Sequence, residues 1–117
     1  MVAIYFWQKS YYTNSSNCLF LDNIGALFMD YPGYAYLINL TNFNFTSNTV
    51  TYNGGAIYIG NGEMVNLINF PFIKNNASQG MGGGIYCGGC VFKNCQQFDF
   101  IENFAENSGG AIYIGAS

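Results

Sequence analysis

The 117-residue chain has no histidine and no arginine, and its only cations are Lys9, Lys74 and Lys93. Neutralising a phosphate backbone takes clustered cations, so nucleic-acid binding is excluded at the outset. Charged residues of both signs make up 8% of the chain, where an average soluble domain has ~25%. Disorder needs high charge with low hydrophobicity, yet half of the residues are hydrophobic and 19% are aromatic. Long apolar runs are missing as well. Asn, Gly and Thr interrupt every stretch short of the ~20 residues that cross a bilayer as a helix, so no membrane-spanning segment is expected. Met1 to Ser10 lacks a basic segment followed by an apolar block, so no signal peptide is read there.

What the chain has instead is neutral polarity, carried by Asn, Gly, Ser, Thr and tyrosine hydroxyls, and a repeat. Phe43-Asn-Phe-Thr-Ser-Asn48 continues to Asn53-Gly-Gly-Ala-Ile-Tyr-Ile-Gly60. Phe70-Pro-Phe-Ile-Lys-Asn75 continues to Gly82-Gly-Gly-Ile-Tyr-Cys87, and Phe98-Asp-Phe-Ile-Glu-Asn103 to Asn107-Ser-Gly-Gly-Ala-Ile-Tyr-Ile-Gly115. Anchored on Ile57, Ile85 and Ile112, the spacings are 28 and 27 residues. A fixed period of that length is the signature of stacked repeats. Upstream, Phe20-Leu-Asp-Asn23 and Gly33-Tyr-Ala-Tyr-Leu-Ile38 read as a degraded copy, and Ala3-Ile-Tyr-Phe6 as the strand of a still earlier one.

Each part of the unit has a mechanical reading. The glycines permit positive φ at a corner, after which β-rich residues run as a strand. Alternation puts Ile57 and Ile59 on one face, with Ala56 and Tyr58 on the other. Stacked copies predict one inward ladder of Ile4, Tyr36, Ile57, Ile85 and Ile112, and a second of Phe6, Ile38, Ile59, Cys87 and Ile114. Tyr5, Leu37, Tyr58, Tyr86 and Tyr113 are then an outward stripe. The Phe-x-Phe pairs point both rings inward. Asn23, Asn48, Asn75 and Asn103 sit at bends, where Asn tolerates left-handed backbone, and are placed to form an amide ladder between coils. A third segment, Met64 to Ile68 or Val91-Phe92, completes three short strands per repeat.

Phe-x-x-Asn paired with Gly-Gly-Ala-Ile resembles the polymorphic outer membrane protein repeat, found in chlamydial autotransporter passengers and in other repeat-rich proteins. The likeness covers most of residues 20–117 and is strongest in the last three copies. It implies a right-handed parallel β-helix and a role in surface display or adhesion. The first two copies depart from the pattern, and no autotransporter barrel is read within these 117 residues.

The reactive side chains each have a structural reading. Cys87 takes the place of Ile59 and Ile114 in the inward ladder, so it reads as a small buried hydrophobe. A local disulfide among Cys87, Cys90 and Cys95 is the competing arrangement. Structural zinc wants four ligands in two close pairs; Cys18 lies about three coils away and no histidine exists. Carboxylates at Asp22, Asp30, Glu63, Asp99, Glu102 and Glu106 form no acidic cluster. Asp99 alternates between two inward phenylalanines and belongs to a solvated face. The Gly80–Gly84 and Gly88-Gly89 stretches lack the lysine and helix of a phosphate loop and read as corners. No catalytic, cofactor or metal residue is expected. Glycosylation sequons stand at Asn14, Asn39, Asn44 and Asn76; for a chain passing through a eukaryotic secretory pathway, Asn76 is the best candidate, because it follows a strand and is expected in a loop. Tyr58, Tyr86 and Tyr113 are the candidate binding or assembly face, against the plainer reading that stacked tyrosines only stabilise their sheet.

The sequence therefore predicts an all-β, right-handed parallel β-helix of about four or five rungs. It reads as a single segment, residues 1–117, with degraded rungs over 1–42 and three clear repeats over 43–117. Solenoid ends need capping, so the chain is expected either to be a section of a longer solenoid or to stack end to end. The expected role is a structural or adhesive extracellular surface rod or filament component. Its expected partners are other protein subunits or continuation of the same chain, and glycans. The alternatives are a non-catalytic section of a carbohydrate-active β-helix enzyme and an intracellular scaffold solenoid.

Overall fold

A computed structural model describes residues 4–6, 10–23, 27–29 and 34–115. The chain winds in coils. The first contains β1 (Ile4–Phe6) and β2 (Ser10–Leu21), and the second β3 (Leu27–Met29), β4 (Ala35–Thr46) and β5 (Thr49–Val50). The third contains β6 (Ile57–Ile59), β7 (Gly62–Ile73) and β8 (Asn76–Ala77). The fourth contains β9 (Ile85–Cys87), β10 (Cys90–Lys93), β11 (Gln96–Ile101) and β12 (Phe104–Ala105), and β13 (Ile112–Ile114) opens another. Every named pairing is parallel and joins a strand to its equivalent one coil away, as in Ile57 with Ile85 and Ile85 with Ile112. One sheet runs β1-β3-β6-β9-β13, a second β2-β4-β7 with β10 and β11 both on β7, and a third β5-β8-β12. The fold is all-β, a parallel β-solenoid of about four turns.

The second sheet turns without losing its strands because asparagine bends them. Asn14 and Asn17, Asn39 and Asn42, and Asn66 and Asn69 all have φ between 55° and 62° inside β2, β4 and β7. Asn94 and Gln97 do the same in the last coil, where the strand divides into β10 and β11. Left-handed backbone costs an L-residue roughly 1–2 kcal/mol, and Asn visits it more readily than most because its short amide bonds locally. A second set of left-handed residues, Asp22, Ser47, Lys74 and Glu102, immediately precedes the Phe-x-x-Asn asparagines. The bend therefore falls one residue earlier than expected. That placement throws the preceding side chain toward solvent and turns the asparagine inward.

The two glycines of each Gly-Gly corner do different work. Gly54, Gly82 and Gly109 take positive φ, at 73°, 72° and 67°. In the first two corners the second glycine is required for space. A Cβ on Gly55 would collide with the Gly83 carbonyl of the next coil, and one on Gly83 would collide with the carbonyls of Gly110 and Phe104. Asn75 and Ile85 are ten positions apart where Asn48 and Ile57, and Asn103 and Ile112, are nine. The extra residue is taken up at Ser78-Gln79-Gly80, a turn closed by a Gly80 N–H to Ala77 carbonyl bond of 3.3 Å.

The interior is built of columns of like residues. Phe20, Phe45, Phe72 and Phe100 stack at 4.8–5.0 Å between centroids, and Phe43, Phe70 and Phe98 at 5.1–5.2 Å, all within 9° of parallel. Cys18 pairs in register with Phe43 and so stands at the foot of the second column. Leu27, Ile57 and Ile85 form a buried aliphatic column, with Ile4 and Ile112 partly buried at its ends.

That column corrects the expected ladder in the degraded coil. Leu27, not Tyr36, stacks beneath Ile57, and Phe28, not Leu37, lies in the tyrosine row. Met29, not Ile38, pairs with Phe6 and Ile59 in backbone register. Gly33 to Ile38 belongs to the second sheet, where Tyr36 pairs with Glu63 and Leu37 with Met64. Leu37 is accordingly buried and Ile38 only partly so. The physical reason is that Leu27 is buried and Phe28 stacks in the outer row as Ile57 and Tyr58 do, so packing aligns the strand while residue identity does not. Ala56, expected outward, is buried at the corner. The side chains of Tyr5 and Phe6 lie outside the described residues.

Gly83→Ala should lower stability by roughly 1–3 kcal/mol through overpacking against fixed backbone. Gly110→Ala, at the equivalent position, meets nothing closer than 3.4 Å and should melt within a few degrees of the wild type. Thermal unfolding followed by far-UV circular dichroism compares the two; equal losses would refute the spatial explanation.

Candidate functional site

The inner asparagines form a continuous amide ladder. Asn23 donates its backbone N–H and its Nδ2 to Asn48 Oδ1, each at 3.0 Å. Asn48 does the same to Asn75 at 3.0 and 2.9 Å, and Asn75 to Asn103 at 2.9 Å for both bonds. The other Nδ2 hydrogen reaches back to a phenylalanine carbonyl: Asn48 to Phe20, Asn75 to Phe45, Asn103 to Phe72. Asn48 and Asn75 are fully buried. Burial is tolerable because these bonds satisfy the amides; leaving one such group unpaired would cost about 1–3 kcal/mol.

Two further amide ladders run on the outside, and the sequence reading did not include them. Asn94 Nδ2 donates to Asn66 Oδ1, Asn66 to Asn39, and Asn39 to Asn14, at 2.8–3.0 Å. Beside them Asn69 donates to Asn42 and Asn42 to Asn17, at 2.7 and 3.0 Å. The available signal was an Asn-x-x-Asn pair ahead of each phenylalanine element, at 14/17, 39/42 and 66/69, with Gln97 replacing the second Asn in the last coil. These ladders run opposite to the inner one: their donors point toward the N-terminal coil, those of the inner ladder toward the C-terminal coil.

The structure brings the expected tyrosine face together. Phe28, Tyr58, Tyr86 and Tyr113 stack at 4.5, 5.0 and 5.3 Å with planes within 9°. Rings packed face to face have spent their faces on one another. Between the ends of the row, outward access is to ring edges and phenolic oxygens, not to the flat surface on which a sugar ring stacks. A second group lies on the other sheet. Tyr11 stacks on Tyr36 at 4.6 Å, Tyr34 meets Tyr36 edge-on at 5.1 Å, and the Tyr34 hydroxyl donates to Glu63 Oε2 at 3.4 Å. Desolvation, then the Glu63 charge, pushes the Tyr34 hydroxyl pKa up. Burial and the contact with Cys18 push Tyr12 up to about 12.

Asp22, Asp99 and Glu102 are exposed, and Glu63 pairs with Lys93 at 3.4 Å across one coil. Cys87 is buried in the column between Ile59 and Ile114. Its sulfur meets that of Cys90 across the corner, with Cα atoms 5.8 Å apart. Cys18 and Cys95 stand apart from that pair, Cys95 donating its Sγ hydrogen to the Met64 carbonyl at 3.4 Å.

The sequons occupy strands. Asn14 and Asn39 are bonded to each other in an outer ladder, where a glycan on Asn39 Nδ2 would leave that nitrogen a single hydrogen to donate. Asn44 lies half-exposed between Phe43 and Phe45 and bonds to Thr46. Asn76 is not in a loop: it belongs to β8, paired with Thr49 on one side and Phe104 on the other, and its Oδ1 is buried without a partner.

Among proteins of known family, the Chlamydia polymorphic membrane protein repeat matches residues 42–60 and 97–115. Each match runs from just before a Phe-x-Phe pair, through the inner asparagine and the Gly-Gly corner, to the glycine after the tyrosine strand. No curated protein and no solved structure matches the chain.

Asn75→Asp should destabilise the fold by at least about 3 kcal/mol at neutral pH, because it buries a charge and removes two donors. Burial raises that carboxyl above its ordinary ~3.9. Stability should therefore be highest in acid and fall as pH rises from about 4 through the folded-state value. Asn42→Asp, on the exposed ladder, should cost under about 1 kcal/mol. Urea titrations at several pH values separate the two, and matching pH profiles would count against a buried ladder. For the cysteines, titration in denaturant without reductant is expected to find two thiols, Cys18 and Cys95. Four would mean that Cys87 and Cys90 are reduced.

Proposed function

We propose that this chain, which carries the polymorphic membrane protein repeat on a parallel β-solenoid, is a structural section of a surface protein. In this reading it serves as a rigid rod that holds a neutral, hydrogen-bonding exterior out to partners. The repeat family is associated with the chlamydial outer membrane, which supports a surface location at that level of description. The observation that carries the reading is the continuity of the interior: phenylalanine stacks on phenylalanine, asparagine on asparagine and leucine or isoleucine on isoleucine from coil to coil. A column of that kind transmits load along its axis and keeps scissile backbone in sheets, which suits a mechanical role.

The outward rows supply the adhesive part of the proposal. Because the ring faces are occupied, Tyr58, Tyr86 and Tyr113 would recognise a partner through hydroxyls repeated at about the ~4.8 Å strand spacing, beside the parallel rows of amides. Partners of that chemistry are other protein subunits presenting backbone or amide groups, and polysaccharides presenting regular hydroxyls.

Beads carrying neutral and acidic polysaccharides test the reading. The folded chain is expected to be retained without releasing new reducing ends; release of ends would replace a structural role by a carbohydrate-active one. Tyr58, Tyr86 and Tyr113 changed together to Phe should keep the stacking, as Phe28 does, and lose retention. Changing them to Ser should also cost roughly 1.5–4.5 kcal/mol, from three aromatic pairs worth about 0.5–1.5 kcal/mol each. Retention that survives in the Phe variant would remove the hydroxyl row from the contact.

A further inference from the structure

We propose that the two outer amide ladders and the row between them bind a neutral polysaccharide chain, extended, β-linked and lying along the solenoid axis. This rests on the structural-rod reading and gives it a second contact surface, on the second sheet rather than on the tyrosine row. In the two middle coils the strip has Asn39 and Asn66 along one edge and Asn42 and Asn69 along the other. Thr41 and Ile68 pair in register between them, side chains outward. The same three rows continue into the coils on either side, and none of their side chains carries a charge.

The observation that carries the proposal is unused hydrogen-bonding capacity. An amide has two donor hydrogens and two acceptor lone pairs. In the inner ladder both hydrogens are engaged, one by the next asparagine and one by a phenylalanine carbonyl. In the outer ladders Asn39 and Asn42 each give one Nδ2 hydrogen to the coil below and accept one bond on Oδ1 from the coil above. Their second hydrogen and second lone pair have no partner among the described residues, and both side chains are exposed. Both have a coil above and below, so this capacity faces sideways, out of the solenoid. The two ladders also run in the same sense, so the array they present has a direction.

Spacing and size select the ligand. Coils repeat at ~4.8 Å, close to the advance of one pyranose unit in an extended β-1,4-linked chain, so each sugar meets one pair of amides. A peptide strand laid along the same axis repeats its same-side groups at ~6.6–6.8 Å and is out of step at the next coil. The strip is about 14 Å long, from three coil spacings, and at most about 10 Å wide, from three residues of strand. That is far below the ~800 Å² that a stable protein interface takes from each partner, and it suits a single file of sugar rings. Sugar hydroxyls donate and accept at once, as these amides do. An acidic chain would find no cation on the strip, since Lys93 at its border is paired with Glu63.

The 117-residue chain, made in a bacterial host without N-glycosylation, is titrated with cellotetraose and followed by its side-chain amide NMR signals. Asn39, Asn42, Asn66 and Asn69 are expected to shift together and to saturate, while the buried Asn48 and Asn75 stay still. Glucose and tetragalacturonate should need at least tenfold higher concentrations. No shift at the four, or equal shifts at the buried pair, would overturn the site. Asn39→Gly with Asn42→Gly removes one pair of amides where glycine adopts the positive φ without strain. Its β spectrum should persist and its affinity for cellotetraose fall about tenfold, as for one or two lost net hydrogen bonds. Unchanged affinity would sink the proposal. So would concentration-dependent self-association that this variant abolishes, which would make a second copy the occupant. A nitroxide on the reducing end of cellotetraose should broaden signals at one end of the strip; equal broadening at both ends refutes the direction. The variant with Tyr58, Tyr86 and Tyr113 changed to Phe should bind cellotetraose as the wild type does. On beads the two contacts reinforce one another, so losing either lowers retention. Bead retention without amide shifts ends this proposal and leaves the rod reading standing. Amide shifts without bead retention do the converse.

Discussion

The constraint on which everything else depends is the distance between coils. Parallel strands lie ~4.8 Å apart, so each side chain meets its own equivalent in the coils above and below. Only residues that are good neighbours to themselves can occupy such a column. Phenylalanine rings stack there within 9° of parallel, and asparagine amides donate and accept at once. Like charges would repel at this spacing. Among the described residues, the ion pairs bring opposite signs together across one coil, Lys74 with Glu102 at 4.0 Å and Lys93 with Glu63 at 3.4 Å. The shortage of charge in the composition is thus a consequence of the stacking.

The buried asparagines show how this constraint also fixes register. A net hydrogen bond contributes only about 0.5–1.5 kcal/mol, but a buried amide without partners costs more than it would have gained. A coil displaced by one residue would set Asn48 beside Lys74 or Asn76 instead of Asn75 and strand its buried donors. The inner ladder therefore penalises misalignment more than it stabilises the correct one, a task the apolar columns cannot perform, since phenylalanine and isoleucine tolerate one another. The left-handed residues at Asp22, Ser47, Lys74 and Glu102 are part of the cost of turning those asparagines inward.

The same geometry limits what the surface can do. Tyrosines that stack on one another are not available to stack on a ligand, so a row that looks like an aromatic binding face in the sequence becomes a row of edges and hydroxyls. Outside the rings the described exterior carries rows of amides repeated along one axis, with scattered charges and exposed aliphatic side chains such as Leu19 and Ile101 between them. A partner suited to it would share that repeat, which is why polymeric or self-similar partners fit the chemistry better than a compact ligand.

The sequence by itself determined the repeat, its period, the inward Phe and Ile columns of the last three coils, the inner asparagine ladder and the glycine corners. These are legible because identical environments select identical residues. It did not determine the second coil, where Leu27-Phe28-Met29 supplies the strand with aliphatic and aromatic residues of similar size but different name. Nor did it reveal the two outer ladders, because an asparagine in a bend looks the same whether it bonds to its own backbone or to the next coil. The two glycines of a corner likewise look interchangeable until the neighbouring backbone shows that one supplies a dihedral and the other a vacancy. Those matters were decided by tertiary structure, since each depends on what lies one coil away, some 25 to 30 residues distant in sequence and in direct contact in space.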